Sequence, residues 1–426
     1  MTESHRRRRS LTHVGGAIET AGDSADAKAL AYALEVPVSF GTDFGEPKGK
    51  TSGPTEPETD PARAHVHGFH TYPARMHPLT AARLGEAFCP PGGRILDPFC
   101  GSGTVLVEAM IQGKTALGVD LNPLAVLLAS RKTLARTPES LEALPNEAKD
   151  CAAFADQRRK ARAKPTRRYP REDALLFEPH VLMELDSLRG AIHERRKNPN
   201  GPDLALVLSS ILVKCSNRIG DTSTNTTPRK LAPGFPSRLF VKKTQEWVAR
   251  LAEFTALLPS QKPPESKILL GDATKLPDLP FHPVDAMVTS PPYAATYDYI
   301  EHHAMRLRWL GMDAAPFQRG ELGSRSAYQR IDPRAAKRIW TKELGQFLTS
   351  AAPLLPKNGA LVMVIADSSV GEIPLRADEI VAATARECGF FPSARASQPR
   401  PHFHGPGLIA FRDKPRAEHA IALRKN

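Results

Sequence analysis

At Asp97-Pro98-Phe99-Cys100-Gly101-Ser102-Gly103-Thr104, an apolar run ends and a stretch with helical spacing begins. The run, Arg94 to Asp97, predicts a short buried strand, and Val105 to Gln112 predicts a helix. Glycines at such a junction let the backbone bend sharply and approach a ligand, while the N–H groups of the helix start face it. A glycine turn that binds nothing is the alternative. The position at the end of a strand favours a cofactor site.

Two acidic residues end or follow the next predicted strands. Asp120 ends the strand Thr115 to Asp120, about 20 residues after the glycines, where a carboxylate typically accepts from the two hydroxyls of a ribose. Asp272 follows the strand Lys267 to Leu270 and could accept from an adenine amino group. Each residue could instead cap a helix or a turn. Together they predict a cofactor that contains adenosine.

A second distinctive segment, Val288-Thr289-Ser290-Pro291-Pro292-Tyr293, stands at the end of another apolar strand. Its two prolines fix an extended turn and remove N–H donors, which leaves carbonyl acceptors beside an aromatic ring. The exocyclic amine of a nucleobase is a poor nucleophile because its lone pair is delocalised, and accepting its N–H hydrogen bonds localises that pair. Tyr293 could stack on such a base. A plain proline turn is the alternative, but the pairing with the glycine turn predicts amine chemistry.

The two segments resemble motifs of the S-adenosylmethionine-dependent amino-methyltransferases of DNA, of the N4-cytosine and N6-adenine type. Asp97 to Thr104 resembles the cofactor motif of this family, and Thr289 to Tyr293 resembles its catalytic motif. Ser290 stands where adenine enzymes more often carry Asp, and the Ser form is more typical of cytosine N4 enzymes. His70 to Pro78 resembles the segment that precedes the cofactor motif. The resemblance covers about residues 71–130 and 265–412.

The resemblance implies an α/β fold with a Rossmann-like class I methyltransferase sheet, doubly wound, with an antiparallel C-terminal strand and a helical basic insertion. It implies S-adenosylmethionine as cofactor and methyl transfer to an exocyclic amine of a flipped base, cytosine N4 first. The catalytic residues would be Ser290, Pro291, Pro292 and Tyr293. The cofactor-binding residues would be Tyr72, Asp97, Phe99, Gly101, Ser102, Gly103, Thr104, Asp120 and Asp272.

Three other functions stay open at this point. They are DNA adenine N6 methylation, methylation of an RNA base amine, and nucleic-acid binding without catalysis. Double-stranded DNA is the expected partner, and a separately encoded restriction endonuclease is a further one that the family allows. We expect no metal in the site.

The order of predicted elements divides the chain of 426 residues into four parts. Residues 1–64 mix Gly, Pro, Thr and charge and predict a mostly flexible N-terminal arm. Residues 65–134 carry the cofactor motif, residues 135–265 form a helical basic insertion with a role in target recognition, and residues 266–426 carry the catalytic motif. In the last part we predict helices over Tyr299 to Leu310 and Thr341 to Leu354, a strand over Ala360 to Ile365, a helix over Arg376 to Cys388 and a last strand over Leu408 to Phe411.

The charge balance favours a polyanionic partner, since 58 Lys and Arg face 46 Asp and Glu, giving +12 at pH 7. Within the insertion, basic residues follow one another without an acid between them, as phosphate contacts require. A polar stretch from Ser216 to Lys230 adds side chains that contact phosphates and base edges. A solvated linker is the alternative for the first and a plain loop for the second. The predicted DNA-binding residues are Arg158, Arg159, Lys160, Arg162, Arg167, Arg168, Arg218 and Lys230.

Histidines and cysteines carry weaker signals. His65, His67 and His70, and the pair His402 and His404, have metal-like spacing without a carboxylate or cysteine cluster nearby in sequence, which favours surface or nucleic-acid contacts. The five cysteines form no CxxC pair, no apolar region follows the basic run near the N-terminus, and no apolar stretch is long enough to cross a bilayer. These features predict a cytoplasmic protein.

Overall fold

The computed structural model describes residues 17–36, 60–220, 225–260, 262–400 and 406–426. Within them, eight strands form one sheet, and two short strands form a separate hairpin. The strands are, in chain order, β1 (Glu19–Gly22), β2 (Arg94–Asp97), β3 (Thr115–Asp120), β4 (Ser266–Leu270), β5 (Ala286–Thr289), β6 (Ala360–Ala366), β7 (Ser368–Val370), β8 (Ile373–Leu375), β9 (Phe390–Pro399) and β10 (Ala417–Lys425).

Helices cover both faces of the sheet and form the insertion. They are α1 (Ser24–Leu34), α2 (Pro78–Phe88), α3 (Thr104–Ile111), α4 (Pro123–Lys132), α5 (Pro138–Lys160), α6 (Arg171–Ala174), α7 (Pro179–Glu194), α8 (Gly201–Cys215), α9 (Phe235–Leu257), α10 (Tyr299–Leu310), α11 (Ala315–Gly320), α12 (Arg325–Tyr328), α13 (Pro333–Ala351), α14 (Ala377–Glu387) and α15 (Pro406–Ala410). Among the described residues, no helix combines the length and hydropathy needed to cross a membrane.

The strand order across the sheet is β1-β9-β10-β6-β5-β2-β3-β4. Strands β4, β3, β2, β5 and β6 are parallel, whereas β10 runs antiparallel to both of its neighbours. The chain winds outward from β2 through β3 to β4 and then returns to β5 on the other side of β2. The point where the winding reverses therefore lies between β2 and β5, which is where open α/β sheets bind ligands. The predicted doubly wound Rossmann-like sheet with an antiparallel C-terminal strand is confirmed.

The central strands are apolar because both of their faces are covered, as parallel sheets require. All seven residues of β6 are buried, and so are all four of β5. Proline at the first helical position starts several of the covering helices, and Asn122 caps α4 by accepting from the Leu124 N–H at 3.0 Å. These local signals hold the carboxyl ends of β2, β3 and β5 at one edge of the sheet.

The predicted last strand was misplaced. Leu408 to Ala410 belong to the short helix α15, and β10 fills the position beside β6 instead. Pro406 at the first position of α15 suits a helix start. β10 is hard to see in sequence because its buried stretch, His419 to Leu423, does not alternate and contains the small residues Ala420 and Ala422. The kind of strand was predicted correctly, but its residues were not.

Part of the expected N-terminal arm is folded. β1 pairs antiparallel with β9, and α1 packs its buried Leu30 and Ala33 against the core. Asp26 forms an ion pair of 2.5 Å with Arg424 on β10. Asp23 caps α1 by accepting from two backbone N–H groups. The prediction of a flexible arm is therefore wrong for this part, and the rest of residues 1–59 lies outside the described residues.

The insertion is helical, as predicted, and it shares one core with the sheet domain. Asp203 on α8 is fully buried, where it accepts from Arg136 Nη2 at 2.7 Å and from the indole N–H of Trp247 at 3.0 Å. Arg131 on α4 also pairs with Asp203. A buried carboxylate shared by three donors fixes α8 and α9 against the end of α4. The insertion is thus joined firmly to the part of the chain that carries the cofactor motif.

Candidate functional site

Asp97 is the buried carboxylate at the end of β2. Its Oδ1 accepts from the Phe99 N–H at 3.1 Å and from the Thr289 hydroxyl at 2.6 Å. Only 4% of the residue is exposed, and this burial raises the pKa of Asp97 to about 7. Because Thr289 ends β5, the hydrogen bond joins the two predicted motifs across the point where the sheet reverses its winding. The motifs therefore form one site.

The glycine turn is held by Asp120, the last residue of β3. The Gly101 N–H donates to Asp120 Oδ2, and the Asn122 N–H donates to Asp120 Oδ1, both at 2.8 Å. Each carboxylate oxygen keeps a further acceptor site, so Asp120 can still accept from ribose hydroxyls. Burial raises the pKa of Asp120 to about 6.

The two glycines have different roles. Gly101 and Gly103 both have positive φ angles, +48° and +82°. A Cβ on Gly101 would lie 3.3 Å from the ring of Tyr72, whereas a Cβ on Gly103 would lie 3.0 Å from the backbone of Ala129 in α4. Gly101 therefore lies against the aromatic ring that covers the turn. Gly103 lets α3 and α4 approach each other, and this is a packing role.

Tyr72 closes over the turn from the segment before α2. Its hydroxyl accepts from Asn122 Nδ2 at 3.3 Å, and its ring stacks on His303 of α10 at 4.7 Å between centroids. The side chain is almost wholly buried. Neither Asn122 nor His303 was predicted as a site residue. Asn122 was visible in sequence as the residue after Asp120 and Leu121, ahead of a helix-starting proline, but nothing local marked His303.

The remaining predicted cofactor residues surround the same turn except for one. Ser102 and Thr104 are buried at the start of α3, and the Ser102 hydroxyl has no partner within the described residues. Phe99 packs edge-on against Phe347 at 4.9 Å. Asp272 accepts from the backbone and hydroxyl of Thr274, so it does cap the turn after β4. Its predicted bond to an adenine stays a prediction.

These features fit S-adenosylmethionine. A buried hydroxyl without a partner at a helix start and a carboxylate with spare acceptor sites are what a polar cofactor would complete. A Cβ on Gly101 would crowd the Tyr72 ring that covers the turn. The carboxylates of Asp97 and Asp120 are acceptors of the kind that the ammonium group and the ribose hydroxyls of that molecule require.

The other residues of the catalytic motif, Ser290 to Tyr293, follow Thr289 directly. The Ser290 hydroxyl lies 3.3 Å from the hydroxyl of Tyr293, and Tyr293 donates to the Val364 carbonyl at 3.5 Å. Burial raises the pKa of Tyr293, so the phenol stays neutral. Pro291 and Pro292 line a pocket together with Phe99, Leu322, Trp340, Glu343, Leu344 and Phe347. The lining is mostly apolar, and Glu343 is the acidic residue in it.

Two further residues near this motif, Tyr299 and Asp298, were not predicted from the sequence. Burial raises the pKa of Tyr299, and the neighbouring Tyr297, Tyr293 and Asp120 raise it further. Tyr299 thus lies between the cofactor turn and the catalytic motif. Asp298 accepts from the Ser324 hydroxyl at 3.1 Å and from the Ser326 N–H at 2.8 Å, which ties the loop before α12 to the motif.

The predicted basic run is partly occupied by contacts within the chain. Arg158 Nε donates to Ser187 at 3.1 Å, and Arg167 lies over the ring of Tyr169 at 4.6 Å while donating to the Arg308 carbonyl at 2.9 Å. These two arginines therefore support the insertion. Arg159 and Lys160 both pair with Asp156 but remain exposed, and Arg162 and Arg168 are exposed as well.

The polar stretch from Ser216 to Lys230 lies beside the segment that follows Tyr293. Arg218 forms an isolated antiparallel bridge with Thr226, and residues 221–224 lie outside the described residues. Burial lowers the pKa of His302 on α10, and the positive charge of Arg218 lowers it too, so the two side chains are neighbours. Lys230 is exposed.

The expectation of surface histidines is wrong. His67 and His70 are almost wholly buried, and His65 is 9% exposed. They are buried because residues from the insertion, Ser209 and Phe254, pack on them. His402 and His404 lie outside the described residues. Asp367, which follows β6, accepts from the Ala377 N–H at 2.9 Å at the start of α14.

Comparison with known proteins gives one family for the cofactor segment. Residues 46–131 match the family model N6_N4_Mtase, described as DNA methylase. Type II methyltransferase M.MvaI from Kocuria varians is 38% identical over 78 residues, which are 18% of this chain and 17% of that protein. M.MjaII from Methanocaldococcus jannaschii, also a type II methyltransferase, is 38% identical over 68 residues, 16% of this chain and 13% of that protein.

An RNA methyltransferase is similar to this chain over a segment of comparable length. The tRNA (guanine(10)-N2)-dimethyltransferase of Methanothermobacter thermautotrophicus is 40% identical over 62 residues, 14% of this chain and 18% of that protein. The chain spans less than a fifth of the length of each of these relatives. Residues 46–131, which include the glycine turn and the strands β2 and β3, are therefore similar to the N6/N4 DNA methylase family.

Proposed function

We propose that this protein transfers a methyl group from S-adenosylmethionine to the exocyclic amine of a DNA base, with cytosine N4 as the acceptor. The observation that carries the proposal is the hydrogen bond of 2.6 Å between Thr289 and Asp97, which unites the glycine turn and the Ser-Pro-Pro-Tyr motif at one edge of the sheet. Either motif alone is compatible with other functions. Together they combine a site for a polar cofactor with acceptors for an amine.

The cofactor side of the site would be held by the residues around the glycine turn. S-adenosylmethionine supplies an already activated methyl group when bound. Asp120 would accept from the ribose hydroxyls, and Asp97 from the ammonium group of the methionine portion. Tyr72 would exclude water over the turn, and Ser102 and Thr104 would donate at the start of α3. Asp272 would accept from the adenine amine.

The catalytic side would be formed by Ser290, Pro291, Pro292 and Tyr293. The Ser290 hydroxyl and the carbonyls of the motif would accept hydrogen bonds from the target amine and so direct its lone pair toward the methyl group. This contribution is positioning and electrostatic, and it is made mainly in the transition state. Tyr293, held in place by Ser290, would stack on the base.

Ser290 favours cytosine over adenine. The chain resembles cytosine N4 enzymes at this position, where adenine enzymes more often carry an acid. A hydroxyl can accept from an amine without placing a charge beside the phenol of Tyr293. Adenine N6 is the second acceptor in order of preference.

Double-stranded DNA is the proposed partner, and its base must leave the helix to reach this buried pocket. The exposed cations Arg159, Lys160, Arg162 and Arg168 on the insertion, with Arg218 and Lys230 beside α10, would contact its phosphates. Arg158 and Arg167 would act through the fold of the insertion rather than by contact.

A methyl-transfer assay with tritiated S-adenosylmethionine tests the proposal. Duplex DNA, tRNA and rRNA are offered separately, and the nucleosides of each product are separated by mass spectrometry. We expect label in DNA as N4-methylcytosine, and none with the Ser290→Ala, Tyr293→Ala double variant. Label only in N6-methyladenine would contradict the base assignment, and label only in RNA would favour the activity of the tRNA enzyme that is similar over 62 residues.

A further inference from the structure

A cluster of polar side chains beside α3 takes no part in the proposed methyl transfer. It consists of His65 and His67, from the short turn His65–Gly68, and Glu108 on α3. Each residue offers one ligand atom, and these three atoms lie within 4.8 Å of one another. His67 Nε2 lies 2.7 Å from Glu108 Oε1. The two imidazole rings are 4.6 Å apart between centroids.

Several polar atoms of this cluster lack partners within the described residues. Nδ1 of His65 and Nδ1 of His67 are buried without a hydrogen bond, and so is Nε2 of the neighbouring His77. A buried polar atom without a partner costs on the order of 1–3 kcal/mol. The His67 residue is only 1% exposed, so bulk water does not satisfy it. A bound ligand would give these nitrogens the partner that they lack.

The backbone is built to hold the rings in place. His65 has a φ of +31°, which residues with a Cβ rarely adopt. Arg250 Nη1 donates to the carbonyls of Arg63 and His65, both at 2.7 Å, and Arg75 Nη1 donates to the carbonyl of His67 at 2.6 Å. The arginines therefore clamp the main chain of the turn. Strain retained in this way is typical of binding sites.

A second cluster in the same fold shows the contrast. Asp367, Asp378 and His419 also bring three ligand atoms together, but cations of the chain already neutralise them. Arg376 Nη1 lies 2.9 Å from Asp367, and Arg395 pairs with Asp378. His419 donates or accepts at both ring nitrogens, with Ser397 and with Asp367. Both carboxylates of that cluster therefore already pair with arginines. In the first cluster, Nδ1 of His65 and Nδ1 of His67 have no hydrogen-bond partner within the described residues.

We propose that His65, His67 and Glu108 bind a first-row transition metal ion, Zn²⁺ by preference. Two imidazoles and one carboxylate are a common zinc ligand set, and water completes the tetrahedron. Donors of a tetrahedral zinc lie about 3.4 Å apart, so small side-chain rotations would bring the three atoms into range and replace the bond between His67 and Glu108.

Positive charges around the cluster lower its affinity for a metal ion. Arg75, Arg250 and Lys132 lie near the histidines, and their positive charges oppose a cation. Burial lowers the pKa of Lys132 far below its usual range, which favours the neutral amine. The arginines point their N–H groups at carbonyls rather than at the ring nitrogens. Burial raises the pKa of Glu108 to about 7, and its carboxylate offsets one arginine charge when it is ionised.

The ion would join two parts of the cofactor site. Glu108 lies one helical turn after Thr104 on α3, whose first residues follow the glycine turn. His65 and His67 begin the segment that ends in Tyr72, which covers that turn. A metal between them would brace the covering segment against the cofactor helix. Its role would be structural, and it does not depend on the methyl acceptor.

Element analysis of the untagged full-length protein tests the proposal. We expect about one zinc per chain after purification without added metal. After removal of the ion by a chelator, Co²⁺ should give the visible absorption bands of a tetrahedral N/O site, and Zn²⁺ should raise the unfolding temperature. Less than a tenth of an equivalent of metal, together with no Co²⁺ spectrum, would overturn the proposal.

Paired variants locate the ion. Glu108→Gln keeps the size of the side chain and should lower zinc affinity at least tenfold, whereas Glu142→Gln, at an exposed position of α5, should leave it unchanged. His67→Gln and the exposed His193→Gln form a second pair. Circular dichroism verifies that each variant folds. Wild-type zinc affinity in both Glu108→Gln and His67→Gln would place any bound ion elsewhere and refute the assignment.

Discussion

The Thr289 hydroxyl donates a hydrogen bond of 2.6 Å to the buried carboxylate of Asp97, across the boundary between β5 and β2. Thr289 is fully buried, so water cannot replace this donor. The bond favours the charged form of Asp97, and burial disfavours it. The first residue of the catalytic motif thus favours the charged form of the first residue of the cofactor motif.

Replacing Thr289 by Val should shift the pH dependence of cofactor binding. The pKa of Asp97 is about 7, so affinity for S-adenosylmethionine should fall in the wild type as the pH drops below that value. Without the hydroxyl the pKa rises further, and the midpoint should move up by about one pH unit, since a hydrogen bond to a charged group is worth about 1.5–3 kcal/mol. Titration calorimetry between pH 6 and 9 measures this.

Thr289→Ser is the matched control because it keeps the donor and removes only a methyl group. Its midpoint should stay with the wild type. Identical midpoints for the Val and Ser variants would show that the bond does not tune the carboxylate.

Asp97→Asn should weaken cofactor binding and stabilise the free protein at the same time. The folded pKa, about 7, lies above the ordinary value of 3.8, so the folded state binds the proton more tightly than the unfolded chain. The stability that Asp97 contributes is therefore greatest below about pH 4 and is lost as the pH rises through 7. Asn resembles the protonated form at every pH.

At pH 8 the Asn variant should be more stable in urea by on the order of 2 kcal/mol, and the difference should vanish near pH 4. The exposed Asp150→Asn should show neither effect. A destabilised Asp97→Asn protein at pH 8 would mean that the carboxylate charge supports the fold.

Ser290→Ala should lower kcat more than it lowers cofactor affinity. The Ser290 hydroxyl lies 3.3 Å from the Tyr293 hydroxyl, directly after the end of β5 and not in the glycine turn. A hydrogen bond used mainly in the transition state appears in kcat. We expect a loss of about 10²-fold in kcat with an unchanged Kd for S-adenosylmethionine. Equal losses in both quantities would assign Ser290 to cofactor binding.

The central fold was readable from sequence because its signals are local. β2, β3 and α10 were predicted to the residue, since each has a clear apolar pattern close to a proline or glycine. β9 was not predicted and β10 was misplaced, because their stability comes from pairing with one another and with β6. Polar or alanine-rich strands carry little intrinsic preference.

The site could be predicted only in part for the same reason. Asp97, Gly101 and Asp120 belong to sequence motifs, and the spacing of those motifs predicts that the three residues lie at one site. Stacking of His303 on Tyr72, or burial of His65 by Phe254, joins residues more than 180 positions apart. The exposed character expected of the histidines was wrong because the insertion, whose packing no local pattern describes, covers them.

Gly103→Ala should destabilise the protein by about 3 kcal/mol. A Cβ at this position would lie 3.0 Å from the Cα and Cβ of Ala129, and the φ of +82° is unfavourable for alanine. Gly92→Ala is the control, because its φ of +67° carries similar strain while nothing lies within 4 Å of the added Cβ. We expect about 1 kcal/mol there. Similar losses in urea denaturation for the two variants would exclude the packing role of Gly103.

DNA binding should depend on the exposed part of the basic run. Arg159, Arg162 and Arg168 are exposed, whereas Arg158 and Arg167 contact Ser187 and Tyr169. Changing the three exposed arginines to Gln should weaken binding to all sequences alike. Each lost phosphate contact should reduce the slope of log K against log salt by about 0.9. Affinity for S-adenosylmethionine should not change, because the cofactor turn lies on the sheet.

Three exposed cations near the amino ends of the strands, Lys262, Lys357 and Arg386, give a control of equal charge. Their replacement by Gln changes the net charge by the same amount, so any general effect of charge appears in both variants. We expect the control to keep nearly the wild-type slope. If the Arg159, Arg162 and Arg168 variant also keeps that slope, the run is a solvated surface. The phosphate contacts would then come from the region of Arg218 and Lys230. Arg218 lies near His302 on α10, the helix that follows the catalytic motif.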